Sequence, residues 1–204
     1  MEASEEITKI DIKQAIKAIV QLKQRLARLK KQSLLRIANK LLGSLGELYV
    51  MSELQEQGYQ PQLKGGQAGY DIFLDDKPPR RIEVKTSVLK KEGVYSEVVL
   101  YFGWKVESWN QKKKNKYDVL VCVAMNDCFK KHDFYIFSRE DISRLDSVPK
   151  VGRFTSVKKK IHLFENKKGF QKAVKEKPAY VTSLERVINK NPQRFRNQWD
   201  KIKN

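Results

Sequence analysis

The chain has 204 residues, of which 40% are hydrophobic, and it carries 42 lysine and arginine residues against 24 aspartate and glutamate residues. This composition excludes a disordered tail, and the formal net charge of +18 indicates a polyanionic partner. No stretch approaches the roughly 18 apolar residues of a membrane span, and the acidic start is unlike a signal peptide. We therefore expect a cytoplasmic protein that binds nucleic acid and no membrane.

The first quarter of the chain predicts two helices. Residues 11–56 contain no proline, and apolar residues recur at alternating steps of three and four, which predicts a heptad seam ending near Ser33. The seam consists of Ile12, Ala15, Ile19, Leu22, Leu26 and Leu29. A second helix is expected from about Leu34 to Gln57.

The polar sides of these helices are basic. Nine lysine or arginine residues and no acidic residue lie between positions 12 and 46. Lys23, Arg25 and Lys30 flank the seam and would face their own copies in a parallel homodimer, so packing within the chain or in an antiparallel dimer is favoured. The outer face of the helix would then lie along a phosphate backbone.

The middle of the chain predicts strands, and the end of the chain is mixed. Strand-like segments between residues 58 and 138 are separated by turn and loop signals such as GG, DDKPP and KKEG. These segments are PQL, YDIFL, RRIEVKTSVL, VYSEVVLYFGW, YDVLVCVAM and DFYIFS. REDISRL then predicts a short helix and IHLF a short strand. TSLE at 182–185 is a capping box that opens a C-terminal helical region, which Pro192 interrupts. We expect an α/β domain built round a mixed central sheet that is flanked by helices.

The segment YDIFLDDKPPRRIEVKTS at 70–87 carries charged residues within a predicted hairpin. Alternation puts Glu83 and Lys85 about 6 to 7 Å apart on one side of their strand. The DDKPP turn returns that strand beside Asp71, so two carboxylates come close together. Because such carboxylates repel each other and lose hydration, a hard cation such as Mg²⁺ is expected beside them. A neighbouring ammonium can orient a bound water or stabilise charge that develops on phosphorus.

These residues resemble the PD-(D/E)XK nuclease superfamily, which includes many restriction endonucleases and archaeal Holliday junction resolvases. The similarity lies in Asp71, a gap of eleven residues and then Glu83-Val84-Lys85, preceded by a helix with GELYV at 46–50. It covers roughly residues 34–125, and Tyr70 stands where the family motif has proline.

The resemblance also implies that a helix glutamate joins the metal site, and Glu47 occupies that position. Glu47 shares one helical face with Gly43, Val50 and Leu54, and this face is expected to meet the sheet. A charge in that position needs a partner such as a metal ion.

The resemblance implies a restriction-endonuclease-like core and Mg²⁺-dependent hydrolysis of DNA phosphodiester bonds, with Mn²⁺ as a substitute. Asp71, Glu83 and Glu47 would hold the metal ion, and Lys85 would position the attacking water. Family members commonly act as dimers, so a homodimer is expected. The chain is then expected to divide into a basic N-terminal helix extension (1–33), a nuclease core (34–145) and a basic C-terminal strand and helix region packed on the core (146–204).

Further candidate contacts with nucleic acid lie in basic segments. The loop WNQKKKNK at 109–116 combines four lysines with a tryptophan, which suits a phosphate track with one stacking ring. KKK at 158–160 is a similar but weaker signal, and the serine at 87 shares the predicted face of Lys85. The candidates are Trp109, Lys112, Lys113, Lys114, Lys116, Ser87, Lys158, Lys159 and Lys160. Asp75 and Asp76 precede KPP and are interpreted as turn residues.

Other interpretations stay open. A non-catalytic nucleic-acid-binding protein on the same fold, or an RNA-binding protein, would also explain the charge. In the hairpin, Asp71 would then cap its strand while Glu83 and Lys85 form salt bridges on a solvated sheet face. Zinc is disfavoured because the two cysteines and two histidines include no CxxC pair and match no common zinc spacing.

Overall fold

The computed structural model describes residues 9–27, 32–64, 69–94, 97–105, 117–126, 129, 132–143, 160–165, 167–176 and 183–203. These residues form helices and strands that follow the predicted order closely. The strands are β1 (Pro61–Leu63), β2 (Ile72–Leu74), β3 (Arg80–Val88), β4 (Lys90–Val94), β5 (Glu97–Lys105), β6 (Val119–Met125), β7 (His132–Ser138) and β8 (Lys160–Phe164). The helices are α1 (Lys9–Ala27), α2 (Gln32–Glu56), α3 (Arg139–Ser143), α4 (Lys167–Glu176), α5 (Ser183–Lys190) and α6 (Asp200–Lys203), with a 3₁₀ turn at Pro192–Arg194.

The central element is a five-stranded sheet with the strand order β1-β2-β3-β6-β7. β3 and β6 are parallel, whereas the other neighbours are antiparallel. The predicted mixed α/β architecture is therefore confirmed. A second, antiparallel sheet has the order β4-β5-β8, and two of its strands lie in the chain segment that connects β3 to β6.

Both faces of the central sheet are covered, as expected for a strand such as β6 in which every residue is buried. On one face, α1 and α2 pack over the odd-numbered valines of β6 and over Ile82 and Val84 of β3. On the other face, Leu120, Cys122 and Ala124 pack beneath the second sheet and α5. The alternation of side chains along β3 and β6 thus separates a first core, on the side of α2, from a second core.

The buried face of α1 differs from the predicted heptad seam. Ile12 and Val20 are buried, but the seam residue Leu22 is 45% exposed. The reason is that α1 packs against α2 of the same chain and against the sheet, where the apolar stripe follows a period of 3.6 residues. A strict a/d seam belongs instead to a coiled coil.

Lys23, which the heptad pattern places beside the seam, points inward and is 8% exposed. Its Nζ atom donates a hydrogen bond to the carbonyl of Ala38 at 3.3 Å and lies 4.6 Å from the ring centroid of Phe129. Burial lowers the pKa of this lysine. The ammonium thus links α1 to α2 and to the connection between β6 and β7.

Strand β4 was not predicted, because the segment KKEG reads as a turn. Lysine, glutamate and glycine are depleted in strands, yet β3 runs into β4 with only Leu89 between them. β4 is stabilised by its pairing with β5, a partner that local sequence patterns do not reveal.

The segment after α5 covers the outer edge of β7. The N–H of Ile136 donates to the carbonyl of Phe195 at 2.9 Å, and the N–H of Asn197 donates to the carbonyl of Phe134 at 2.7 Å. Arg196 adds an ion pair with the side chain of an aspartate in β7, at 2.7 Å.

Among the helices that the structure describes, none combines the length and the apolar character that a membrane span requires.

Candidate active site

Asp71 lies directly before β2, and both its main-chain N–H and its main-chain carbonyl form hydrogen bonds. Its N–H donates to the carbonyl of Ile82 at 2.9 Å, and its carbonyl accepts from the N–H of Lys64 at 2.8 Å. The pairing of β2 with β3 ends where Ile72 faces Ile82. Beyond this point the Asp71 Oδ2 atom accepts the N–H of Val84 at 2.7 Å, so the carboxylate takes the place of a strand partner.

Glu83 and Lys85 lie on one face of β3 and form an ion pair with each other. Their side chains are 17% and 28% exposed, so the pair is reachable from solvent but largely covered. Burial lowers the pKa of Lys85, but the charges of Glu83 and Asp71 outweigh burial, and the net result is a raised pKa. Lys85 is therefore charged at neutral pH.

Glu47 projects from α2 and is half-buried. Burial raises the pKa of its carboxyl, Asp71 and Glu83 raise it further, and Lys85 lowers it. Val50 of the same helical face is buried in the first core, as predicted. The structure thus brings Glu47 into one electrostatic group with the three charged residues of the hairpin.

The position of α2 over β3 depends on a close approach at Gly46. A Cβ atom on Gly46 would lie 1.8 Å from the Oγ1 atom of Thr86, a distance that no side chain tolerates. The Oγ1 atom of Thr86 is buried and has no hydrogen-bond partner among the described residues. Glu47 follows Gly46 directly, so this contact sets how near its carboxylate comes to β3.

The group of Glu47, Asp71, Glu83 and Lys85 offers the type of ligand and the net negative charge that suit a hard divalent cation. Carboxylate oxygens are ligands that Mg²⁺ prefers, and three carboxylates here face one ammonium within a chain of net charge +18. In the described conformation, however, Glu83 is paired with Lys85 and Asp71 accepts a main-chain N–H. Within the described ranges, no three side chains of the histidine, cysteine, aspartate or glutamate type are grouped so as to hold a metal ion.

Most of the predicted nucleic-acid contacts lie outside the described residues. This applies to Trp109, Lys112, Lys113, Lys114, Lys116, Lys158 and Lys159. Lys160 is the first residue of β8, where its main chain pairs with Lys105, and its side chain is outside the description. Asp75 and Asp76 are exposed between β2 and β3, in agreement with a turn.

Ser87 has a structural place that the sequence did not predict. The residue is 2% exposed, its hydroxyl donates to the carbonyl of Val88 at 3.0 Å, and it accepts the N–H of Gly103 at 3.1 Å. The hydroxyl therefore joins β3 to the second sheet. Because it is buried and engaged on both sides, we leave Ser87 out of the proposed contacts with phosphate.

Asp118 is a further positioning residue that the sequence did not single out. Its carboxylate accepts the N–H of Arg81 at 3.0 Å and two hydrogen bonds from the guanidinium, at 3.0 and 2.9 Å. The N–H of Asp118 also donates to the carbonyl of Arg81 at 2.8 Å. Burial raises the pKa of Asp118, but these hydrogen bonds outweigh burial and lower it. The pair fixes the start of the β3–β6 alignment, two residues before Glu83.

Comparisons with known proteins give structural likenesses but no match by sequence family. No protein-family model matches the chain. No curated protein matches it either. Among solved structures, the bacterial homing endonuclease I-Ssp6803I is 17% identical, with a TM-score of 0.37, over 76% of this chain and 95% of that chain. A likeness at this TM-score carries no argument about activity, so a functional assignment has to stand on the site itself.

Proposed function

We propose that this chain is a metal-dependent endonuclease that hydrolyses DNA phosphodiester bonds, of the PD-(D/E)XK type. The observation that carries the proposal is that Asp71, Glu83 and Lys85 all act on the charge of Glu47, so charged residues from a helix, a loop and a strand form one electrostatic group. The group lies where β3 has lost its β2 partner, and the side chains of Glu83 and Lys85 are reachable from solvent. The net charge of +18 supports a polyanionic substrate.

The carboxylates are the proposed ligands of Mg²⁺. Asp71 and Glu83 would hold the ion, with Glu47 assisting from α2. When bound, Mg²⁺ would polarise a phosphate oxygen and lower the pKa of a coordinated water. The two main-chain hydrogen bonds of Asp71 keep the backbone beneath its carboxylate in place, so the ligand is positioned before any ion binds.

Lys85 is the proposed group for the attacking water or for charge that develops on phosphorus. Its raised pKa keeps the ammonium charged at the pH of the reaction. Its ion pair with Glu83 holds it on the same face as a proposed metal ligand. Transfer of Glu83 from the ammonium to a cation would release Lys85 toward the substrate.

A second candidate function is a non-catalytic DNA-binding protein on the same fold. The internal engagement of Glu83 by Lys85, and of Asp71 by Val84, favours this alternative, because both carboxylates have partners without a metal ion. Under this alternative the hairpin charges stabilise the sheet edge alone.

Incubation with labelled linear, nicked, branched and single-stranded DNAs separates the two candidates. We expect cuts with Mg²⁺ or Mn²⁺, none in EDTA, and none with the Asp71→Asn variant under the same conditions. The map of cuts also identifies the substrate structure. An uncut panel at protein concentrations that saturate the DNA would favour the binding protein.

The proposal includes a homodimer that sets two sites on the two DNA strands. Sedimentation of the protein with and without DNA measures the oligomeric state. Paired cuts on opposite strands by a dimer are expected, and a monomer that cuts both strands in independent events would contradict this part of the proposal.

A further inference from the structure

The outer face of the three-stranded sheet carries a row of aromatic rings. The register pairs Tyr101 with Phe164, and their ring centroids are 6.0 Å apart. His162 lies 5.4 Å from Tyr101, and Phe170 of α4 lies 5.9 Å from Phe164. All four residues are half-buried and lie outside both cores as described above. We call Tyr101, His162, Phe164 and Phe170 the outer aromatic face.

The opposite face of the same sheet shows why these rings are not core residues. Trp104 is 1% exposed, and Ile161 and Leu163 are buried with it in the second core. Because strands alternate their faces, residues at the intervening positions point away from that core. Phe102 packs against the second core with Trp104, whereas Tyr101 lies on the outer side of the sheet.

The ammonium group of Lys90 lies beside Gly103, close to two of these rings. Lys90 is exposed, and its Nζ atom donates to the carbonyl of Gly103 at 3.3 Å. The Cε2 atom of Tyr101, the Cδ2 atom of His162 and Lys90 Nζ lie 3.1, 3.4 and 3.5 Å from the position that a Cβ atom on Gly103 would take. The absence of a side chain at Gly103 therefore lets two rings and an ammonium share one small surface.

A buried carboxylate orients the His162 ring. Glu185 is 2% exposed, and its Oε1 atom accepts the N–H of His162 at 2.9 Å and lies 2.8 Å from His162 Nδ1. The Nδ2 atom of Asn189 donates to the carbonyl of His162 at 2.8 Å. A carboxylate at Nδ1 places the proton there and leaves Nε2 as the ring atom that can meet a ligand. The orientation of this half-exposed ring is thus specified by α5.

We propose that the outer aromatic face binds single-stranded DNA, with bases stacked on the rings and Lys90 at a phosphate. Aromatic rings beside basic groups are the features that recognise unpaired nucleotides irrespective of sequence, because every base has a π-face. Lys167 and Lys168 are exposed at the start of α4, the helix that carries Phe170, and add positive charge to it. Charge complementarity with a chain of +18 favours a nucleic acid as the occupant.

The proposal rests on the proposed nuclease function and specifies its substrate class. β3 passes into β4 with only Leu89 between them, so Lys85 and Lys90 are at most about 17 Å apart along the chain. A single strand held on the outer aromatic face would then extend to the carboxylate group. The inferred substrate is DNA with an unpaired stretch next to the bond that is cut.

The test measures the anisotropy of a labelled oligothymidine in EDTA, where cleavage does not interfere. We expect Tyr101→Leu and Phe164→Leu each to weaken binding about 5-fold or more, the lower end of the loss for one stacked base. Lys90→Gln should weaken binding and reduce the salt dependence. Phe73→Leu and Lys77→Gln are the controls, because Phe73 lies in β2 of the central sheet and Lys77 is exposed in the turn that follows β2. Both controls should bind as the parent does.

A folded Tyr101→Leu/Phe164→Leu variant with the parent affinity for the single strand would overturn the proposal. A variant that loses as much affinity for a duplex of the same sequence as for the single strand would overturn it as well. Circular dichroism and thermal unfolding establish that each variant is folded. If the double variant does not fold, Lys90→Gln and photocrosslinking of the parent protein to bromodeoxyuridine-substituted single strands decide. Crosslinks at residue 101 or within 162–170 support the proposal, and crosslinks confined to other segments contradict it.

The same measurements keep this inference separate from the nuclease proposal. Binding without cleavage in any metal would refute the nuclease activity and leave the binding surface intact. Cleavage that does not depend on the aromatic rings would refute the binding surface and leave the nuclease proposal intact.

Discussion

Gly46 of α2 and Thr86 of β3 are in such close contact that a Cβ atom on the glycine would lie 1.8 Å from the threonine Oγ1. In contrast, a Cβ atom on Gly43, one turn earlier in α2, would meet no atom within 4 Å. Two glycines in one helix therefore have opposite roles. Gly46 is required by packing, whereas Gly43 only lowers the stability of the helix.

The first prediction uses this pair. Gly46→Ala should lower the free energy of unfolding by about 1–3 kcal/mol, the cost of overpacking a core contact. Gly43→Ala should raise it by up to about 1 kcal/mol, because alanine favours the helix. Urea denaturation measures both. Adding Thr86→Ala to Gly46→Ala should restore part of the stability, since the nearest atom is removed, and equal effects of the two glycine substitutions would show that the contact is not tight.

The second prediction separates the two tasks of Asp71. Asp71→Asn keeps an oxygen for the N–H of Val84, whereas Asp71→Ala leaves that N–H without its acceptor. Both variants should lose cleavage, but only Asp71→Ala should also lose about 1–3 kcal/mol of stability. Thermal unfolding also reports metal binding, because a ligand of the folded state raises the Tm. Mg²⁺ should raise the Tm of the parent at neutral pH, and a rise of the same size in Asp71→Asn would argue against this carboxylate as a ligand.

The third prediction concerns the pH dependence of stability. Burial, together with Asp71 and Glu83, raises the pKa of Glu47 above its ordinary value of 4.5, so the folded state holds this proton to a higher pH than the unfolded state does. The contribution of Glu47 to stability is therefore complete below the ordinary value and is lost as the pH rises through the raised pKa. In EDTA, Glu47→Gln should be more stable than the parent at pH 7 to 8, and the difference should disappear below about pH 4.

Urea denaturation across this pH range checks the third prediction. A Glu47→Gln variant that is less stable than the parent at pH 7 in EDTA would place Glu47 away from the other carboxylates. Mg²⁺ should reduce the advantage of glutamine, because the ion favours the ionised carboxylate.

The fourth prediction distinguishes chemistry from binding at Lys85. Lys85→Ala removes one of 42 basic side chains, so the affinity for DNA should change little. Cleavage should fall by about 10² or more, because the group that positions water or stabilises charge is absent. Lys77→Ala, at an exposed position in the turn between β2 and β3, is the control that should leave both quantities unchanged. Cleavage by Lys85→Ala at the parent rate under single-turnover conditions would refute the proposed role.

The fifth prediction concerns the lysines of the 109–116 loop, which lie outside the described residues. Replacing Lys112, Lys113, Lys114 and Lys116 together should weaken binding to DNA, while saturating DNA restores much of the turnover. The slope of log affinity against log salt should become shallower by about 0.9 for each duplex phosphate that the variant no longer neutralises. A variant with the parent slope would show that the loop does not contact phosphate.

The polar hairpin was predictable because its evidence is local. Alternation along one strand placed Glu83 and Lys85 on the same face, and the short DDKPP turn brought Asp71 back beside them. The helical face of Glu47 followed from the period of 3.6 residues, since Val50 is buried on that face. Each of these inferences stays within one helix or one hairpin.

The second sheet was not predictable, because its pairing is long-range. Tyr101 faces Phe164 across the ladder of β5 and β8, and no local pattern connects positions so far apart in the chain. For the same reason the sequence did not show that the Ser87 hydroxyl binds Gly103. The sequence placed Lys23 beside the seam, whereas the structure buries it. A heptad pattern does not distinguish a coiled coil from a helix that packs inside its own domain.

The cover that residues 195–197 form over β7 has a consequence for the order in which the protein is made. Ile136 and Phe134 leave the ribosome long before the main-chain groups of Phe195 and Asn197 that pair with them. Trp199 and Ile202 fill the same core as Ile12, the first buried residue in the described part of the chain. Until these late residues emerge, the nascent sheet has an open edge and an incompletely filled core, which are the features that favour aggregation. Translation of the segment around 195–202 therefore closes the edge of β7 and fills the first core.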